Sequence, residues 1–203
     1  MTCIVGIKED GKLWIGGDSA AINLTTSEIY TIASRKVFRA GSYLVGYTIS
    51  FRAGQVLEHE VEWPEPPEGA EIGSFLVREL VPRLREALRE AGALKTTEGV
   101  DQGAHFMIGI GGEFYSVALD FSVTPLAESF MAIGAGRHNA YGALHALAGL
   151  GMPPQERMRR ALEAAARYTC GVREPFYFLS PPACSAVEQV DRRRSCPAAV
   201  SDG

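Results

Sequence analysis

Short runs of apolar residues at the N-terminus predict a β-hairpin. Residues 2–8 and 12–17 are rich in Ile, Val and Leu. The Asp10-Gly11 pair between them is a typical hairpin turn. Two antiparallel strands are therefore expected, the second ending at Asp18. Further apolar runs of this kind predict strands over residues 29–32, 36–39 and 43–47. Residues 19–28, rich in Ser, Thr and Ala, predict a loop.

A helical period replaces the strand pattern from residue 50 onwards. Residues 50–61 predict a helix, and the proline-rich stretch 63–69 after them predicts a surface connection. Apolar residues then recur at helical spacing from Leu76 to Leu88. Ser74 is the expected N-cap of this helix, and Pro82 is expected to kink it.

The second half of the chain repeats the order of strands followed by helices. Residues 93–103 predict a polar loop. Strands are expected at 105–110, 113–119, 129–133 and 175–179, and helices at 139–150 and 154–168. Hairpins alternating with helix pairs indicate an α+β fold with antiparallel sheets between helical layers. We expect residues 1–180 to form a single domain and residues 181–203 to form a mobile tail.

Composition narrows the classes of function. The 203 residues carry a net charge of -4, which argues against a nucleic-acid partner. No apolar run is long enough to span a bilayer. Because Lys8, Glu9 and Asp10 interrupt the first apolar run, we expect no signal peptide. Four scattered cysteines and four scattered histidines show no metal-ligand spacing, so we expect reduced thiols in a cytoplasmic protein without a metal or an organic cofactor.

Thr2 is the candidate with the most specific chemistry. It follows Met1, and a methionine before a small residue is routinely removed. Removal leaves an α-amine, with a pKa of about 7.7–8.0, on the same residue as the hydroxyl. Such an amine is the base that a weak hydroxyl nucleophile needs.

Several short motifs give the chain a resemblance to a known family. They are Thr2-Cys3-Ile4-Val5-Gly6, Gly16-Gly17-Asp18-Ser19, Arg35-Lys36-Val37, Leu44-Val45-Gly46 and Ala132-Ile133-Gly134-Ala135-Gly136. In this order and spacing they resemble the proteasome β-subunits, and most closely the bacterial proteasome-like peptidase that works with a heat-shock ATPase. Both groups are N-terminal-nucleophile hydrolases. The resemblance covers most of residues 2–180.

The resemblance implies a four-layer αββα sandwich and assigns roles to four residues. Thr2 would be the nucleophile, and Lys36 would lie beside its hydroxyl and amine. Asp18 would pair with Lys36. The backbone N–H of Gly46 would donate to the oxyanion. The resemblance also implies a homo-oligomeric ring that encloses peptide or unfolded-protein substrates, with an ATPase as a further partner.

The chain also departs from the family pattern near the site. Ala135 stands where the family usually has a serine, and Arg167 or Tyr168 stands where it often has an aspartate. Residues 47–50 after Gly46 lack a further glycine, which predicts a narrower or differently shaped substrate channel. Three interpretations are therefore kept: a threonine peptidase, an inactive structural or assembly subunit of the same fold, and an amidase that acts on small amides.

Overall fold

The computed structural model describes residues 1–23, 25–97 and 100–180, and the predicted tail at 181–203 lies outside these residues. The strands are β1 Cys3–Glu9, β2 Lys12–Gly17, β3 Ala20–Asn23, β4 Glu28–Thr31, β5 Val37–Ala40, β6 Tyr43–Tyr47, β7 Lys95–Thr97, β8 Val100–Gln102, β9 Phe106–Ile110, β10 Glu113–Val117, β11 Val123–Pro125, β12 Phe130–Gly134 and β13 Tyr177–Leu179. The helices are α1 Phe51–His59, α2 Ile72–Phe75, α3 Val81–Glu90, α4 Arg137–Leu147 and α5 Pro154–Tyr168.

Two antiparallel sheets form the centre of the molecule. The first has the strand order β12-β1-β2-β13, and the second has the order β11-β10-β9-β6-β5. In the first sheet Ile4 of β1 lies opposite Gly17 of β2, so the start of β1 lies beside the end of β2. This register brings the N-terminus next to Asp18.

The buried apolar side chains form three clusters. One cluster lies between the two sheets and includes Ile4 and Ile15 from the first and Val37 and Leu44 from the second. Another lies between the first sheet and helices α4 and α5. The last lies between the second sheet and helices α1 to α3. Because side chains alternate along a strand, each sheet contributes to two of these cores.

The predicted mixture of helices and antiparallel strands is confirmed, and most predicted elements agree with the observed ones within a few residues. Two predicted loops are wrong. The loop at 19–28 contains β3, which pairs with β4, and the loop at 93–103 contains β7 and β8. Strand β11 was also not predicted. These strands are short, and pairing rather than an apolar period defines them.

The long helix after the proline-rich segment begins earlier than predicted. Its N-cap is Glu71, whose carboxylate accepts from the backbone N–H groups of Gly73 and Ser74, so the assignment of Ser74 as the cap is wrong. A π-helical segment, Leu76–Leu80, joins α2 to α3. There the Val81 N–H donates to the Leu76 carbonyl, just before Pro82. In the described part of the chain no helix is long and apolar enough to cross a membrane.

Candidate active site

Thr2 lies immediately before β1 and is buried. Its side chain is on the same face as Ile4, while Cys3 faces the helices on the other side. The Thr2 hydroxyl donates to the Met1 carbonyl oxygen at 2.6 Å. The Thr2 carbonyl oxygen accepts from the Gly136 N–H at 3.3 Å, which fixes the residue against the loop before α4.

Asp18 follows β2 and is completely buried. Its Oδ1 accepts from the Cys3 N–H at 3.0 Å and from Lys36 Nζ at 2.9 Å. Its Oδ2 accepts from the Ala20 N–H at 2.9 Å and from the Arg173 N–H at 3.3 Å. Four donors on one carboxylate hold four segments of chain together.

Lys36 lies just before β5 and is also buried, with 1% of the residue exposed. Burial lowers the pKa of its ammonium group, and the neighbouring charge and hydrogen bond of Asp18 oppose that shift. Lys36 Nζ is 3.5 Å from the Met1 carbonyl oxygen and 5.9 Å from the centre of the Phe51 ring. This lysine is therefore held by protein groups rather than solvated.

The hydroxyl of Thr2 and the ammonium of Lys36 converge on one atom, the carbonyl oxygen of Met1. Asp18, which contacts Lys36 directly, also holds the backbone of Cys3 next to Thr2. Three residues that are far apart in sequence thus share one small buried site. The arrangement can place a proton acceptor and a positive charge close to a hydroxyl nucleophile.

Gly46 lies in β6, opposite Val37 of β5 and Met107 of β9. A Cβ atom at this position would lie 2.6 Å from Cγ2 of Ile4 and 3.0 Å from Cδ1 of Ile15. Close packing between the two sheets therefore requires a glycine here. This packing reason is separate from the oxyanion role that the resemblance implies for Gly46.

Ala135, Arg167 and Tyr168, three of the positions that depart from the family pattern, are exposed rather than buried with Asp18 and Lys36. Tyr168 is 77% exposed. Neither residue at the end of α5 supplies a carboxylate. Ser19 is also committed elsewhere, because its hydroxyl donates to the Pro175 carbonyl oxygen.

Sequence reasoning did not identify two contributors to the site. The Arg173 N–H is a backbone donor to Asp18, which no side-chain pattern reveals. Phe51 lies near Lys36 although it is 39% exposed. The only signal in the sequence was an aromatic residue at the second position of the helix predicted over residues 50–61.

Burial also shifts the ionisation of the groups next to Thr2. It lowers the pKa of the Met1 α-amine, an effect that the charge of Lys36 reinforces. Burial raises the pKa of the Cys3 thiol to about 12, so Cys3 is a poor nucleophile at neutral pH. Within the described ranges no three His, Cys, Asp or Glu side chains form a cluster that could hold a metal ion.

A surface cleft of about 500 Å³ lies beside the N-terminus. It is formed by the end of α5 and the following loop, and its lining includes Thr169, Cys170 and Gly171. A Cβ atom on Gly171 would lie 2.8 Å from Cβ of Met1. One residue of the cleft lining, Gly171, therefore lies next to Met1.

Comparisons with known proteins support the fold through structure rather than sequence. No family model and no curated protein sequence matches the chain. The structure is similar to BPH from Thiobacillus denitrificans, with a TM-score of 0.75 at 20% identity over 88% of this chain and 97% of that one. A second structure of that protein contains epoxomicin.

Two further solved structures have the same fold. HslV from Trypanosoma brucei has a TM-score of 0.62 at 17% identity, over 88% of this chain and 98% of that one. Anbu, described as an ancestral beta-subunit, from Yersinia bercovieri has a TM-score of 0.63 at 14% identity, over 90% of this chain and 81% of that one. The predicted resemblance is confirmed at the level of the fold, which this chain shares with BPH, HslV and Anbu.

Proposed function

We propose that the chain is a threonine peptidase that uses Thr2 as its nucleophile once Met1 has been removed. The observation that carries the proposal is the convergence of the Thr2 hydroxyl and the buried Lys36–Asp18 pair on one carbonyl oxygen. If Thr2 were an ordinary strand residue and Lys36 an ordinary solvated lysine, the fold would have no need to bury the charges of Lys36 and Asp18. Such charges cost free energy when they leave water, and perturbed buried pairs concentrate at functional sites.

The reaction begins when the Thr2 hydroxyl attacks a substrate carbonyl carbon. The hydroxyl proton passes to the freed α-amine of Thr2, and the new C–O bond produces a tetrahedral oxyanion. Collapse breaks the C–N bond, and the leaving amine takes up the proton. Water then hydrolyses the ester on Thr2, which releases the acid and restores the hydroxyl.

Lys36 and Asp18 have supporting roles in this proposal. The positive charge of Lys36 lowers the free energy of the deprotonated Thr2 oxygen and keeps the neighbouring α-amine neutral. Asp18 positions Lys36 through the 2.9 Å contact and holds the start of β1 through the Cys3 N–H. Asp18 is therefore a positioning residue.

Gly46 is the proposed oxyanion donor, under one structural condition. Along β6 the Tyr47 N–H donates towards β5, to Lys36, and the Thr48 N–H donates towards β9, to His105. Because successive amides alternate in direction, the Gly46 N–H points to its β9 partner Met107. Binding an oxyanion therefore requires this amide to be shared with, or released from, the strand ladder.

Fold and assembly extend the proposal beyond the single site. The succession of helices, sheet, sheet and helices around three apolar cores supports a four-layer αββα sandwich. We infer a homo-oligomer that encloses peptide or unfolded-protein substrates, because an unselective nucleophile needs seclusion from folded proteins. The Anbu complex from Pseudomonas aeruginosa is a helical assembly, so a closed ring and an open helix are both geometries to consider for this fold. An ATPase that feeds the chamber is a further proposed partner.

A second candidate is an inactive structural subunit of the same fold. The exposed Ala135 and Tyr168 favour it, because groups that could orient the Thr2 amine and a water molecule are missing from those positions. A third candidate, an amidase, uses the same Thr2 chemistry on smaller substrates. Rates on fluorogenic peptides compared with rates on small amides separate the amidase from the peptidase.

The intact mass of the purified protein tests the proposal. The peptidase is expected to lack Met1 and to gain one adduct from a peptide epoxyketone. The adduct should vanish in Thr2→Ala and persist in Thr25→Ala, a threonine substitution in the exposed turn before β4. A retained Met1, or a processed chain that never takes the label, would establish the structural subunit instead.

A further inference from the structure

Ile49 has a backbone conformation that its side chain disfavours. Its φ angle is +78°, in the left-handed region, where β-branched residues are rare. The Ser50 N–H donates to the Thr48 carbonyl oxygen at 3.0 Å, which closes a three-residue γ-turn centred on Ile49. A γ-turn with positive φ at its centre is uncommon and strained.

The neighbouring residues impose this conformation from both sides. Thr48 is fixed to β9, since its N–H and its hydroxyl both donate to the His105 carbonyl oxygen, at 3.0 and 3.2 Å. Ser50 is fixed as the N-cap of α1, where its hydroxyl accepts from the Ala53 N–H at 3.1 Å. The single residue between a strand end and a helix cap must make the whole turn. A glycine would make it without strain.

The turn lies at the edge of the proposed catalytic site. A Cβ atom on Gly134 would overlap the Thr2 carbonyl oxygen and would lie 3.2 Å from Cγ2 of Thr48, so Thr48 and Thr2 are neighbours. On the other side of the turn the Phe51 ring lies 5.9 Å from Lys36 Nζ. Ile49 therefore lies between two residues that approach the nucleophile and its partner.

The side chains on this turn are apolar and exposed. Ile49 is 65% exposed and Phe51 is 39% exposed, and both belong to the small set of large apolar residues that the described surface leaves open. Phe51 lies beside the buried charged pair, and Ile49 precedes it by two residues in the chain. Apolar surface exposed at a site is typical of binding. The strained turn therefore carries an exposed apolar side chain between Thr48 and Phe51, two residues that lie next to the candidate site.

We propose that Ile49 is a specificity-determining residue, held by the strained turn so that its side chain contacts an apolar side chain of the peptide substrate close to the scissile bond. This inference rests on the proposed peptidase activity and names the substrate class, peptides with a large apolar residue near the cleaved bond. Burial of the Ile49 side chain by that residue is the source of the preference. The backbone strain at Ile49 is the free-energy cost of holding its side chain in this position.

The test combines stability with substrate preference in Ile49→Gly. Removal of the strained side chain is expected to raise the midpoint of thermal unfolding by roughly 2–6 °C. A panel of fluorogenic peptides that differ by Leu, Glu or Lys at each of the three positions before the cleaved bond measures preference. At one of these positions the ratio of kcat/KM for Leu over Glu should fall about tenfold.

Two further variants make the outcomes decisive. Ile49→Asn, which tolerates positive φ, should also raise the midpoint and lower the ratio. Leu150→Gly removes a comparably exposed residue, 66% exposed, from the loop between α4 and α5, and it should neither change the ratio nor raise the midpoint. Unchanged preference in both Ile49 variants would overturn the inference, as would an unchanged or lower midpoint.

A failure of this inference can be told apart from a failure of the proposed function. Wild-type protein and Thr2→Ala are treated in parallel with the peptide epoxyketone. If the wild type takes a Thr2-dependent label and Ile49→Gly keeps the same preference, only the role of Ile49 is wrong. If the wild type takes no label, the peptidase proposal is wrong and the specificity role is rejected with it.

Discussion

At the scale of single residues, the buried pair of Lys36 and Asp18 has unequal members. Asp18 accepts three backbone hydrogen bonds besides the one from Lys36. Lys36, in contrast, depends on Asp18 as the carboxylate that balances its charge. We expect Asp18→Asn to lower the free energy of unfolding by about 3–5 kcal/mol, because it leaves a buried charge without its counterion. Lys36→Met should lower the free energy of unfolding by only about 1–3 kcal/mol, because the Asp18 carboxylate still accepts its three backbone N–H hydrogen bonds. Urea denaturation measures both, with Lys8→Met as the control for loss of a surface lysine, and an equal or larger cost for Lys36→Met would contradict this order.

The same pair predicts a dependence on pH. Burial lowers the pKa of Lys36, and the Asp18 carboxylate opposes that shift. Because Asp18→Asn removes this carboxylate, the pKa of Lys36 should fall further below its ordinary value of 10.5. The unfolded chain then binds more protons than the folded one in the window below 10.5, so stability rises with pH there. The deficit of Asp18→Asn relative to the wild type should therefore shrink between pH 7 and 10. A deficit that is constant over this window would show that Lys36 stays protonated.

The two described cysteines should differ sharply in reactivity. Cys3 is completely buried, and burial raises its pKa to about 12, so almost no thiolate forms at pH 8. Cys170 is exposed. A brief pulse of iodoacetamide at pH 8, followed by peptide mapping, should modify Cys170 and leave Cys3 intact until the protein is denatured. Comparable modification of both would mean that β1 opens readily, in conflict with its position at the centre of a sheet.

At the scale of elements, two helical glycines have opposite roles. A Cβ atom on Gly54 in α1 would overlap the ring of Tyr47, whereas the same atom on Gly142 in α4 has no neighbour within 4 Å. Gly142→Ala should therefore raise the free energy of unfolding by about 0.5–1 kcal/mol through helix propensity alone. Gly54→Ala should lower it by about 1–3 kcal/mol, because Tyr47 must move within a packed core. Thermal unfolding of the two variants checks the signs, and a stabilising Gly54→Ala would show that α1 is loosely packed.

The elements also show what the sequence could and could not predict. The β1–β2 hairpin was predicted because its apolar runs and the Asp10-Gly11 turn are both local signals. Strand β3 was missed because Ala20 and Ala21 are buried by tertiary packing, which short small residues do not signal. The meeting of Asp18 with Lys36 depends on how two strand ends come together across sheets, so only the resemblance suggested it. The positive φ of Ile49 was invisible, because its cause is the fixing of the residues on either side.

At the scale of the whole molecule, the proposed assembly of several copies of the chain can be tested by experiment. The 21.9 kDa chain exposes large apolar side chains on separate parts of its surface, among them Val77, Leu150 and Tyr168. If identical surfaces associate in a closed ring, native mass spectrometry should give one discrete multiple of the chain mass that is constant with concentration. An open helix should instead give a series of masses that grows with concentration. Peptidase activity per chain should fall on dilution below the assembly threshold in either geometry, because only the assembled form encloses substrate. A monomer with full activity at every concentration would remove the compartment from the proposal and leave Thr2 accessible to any polypeptide.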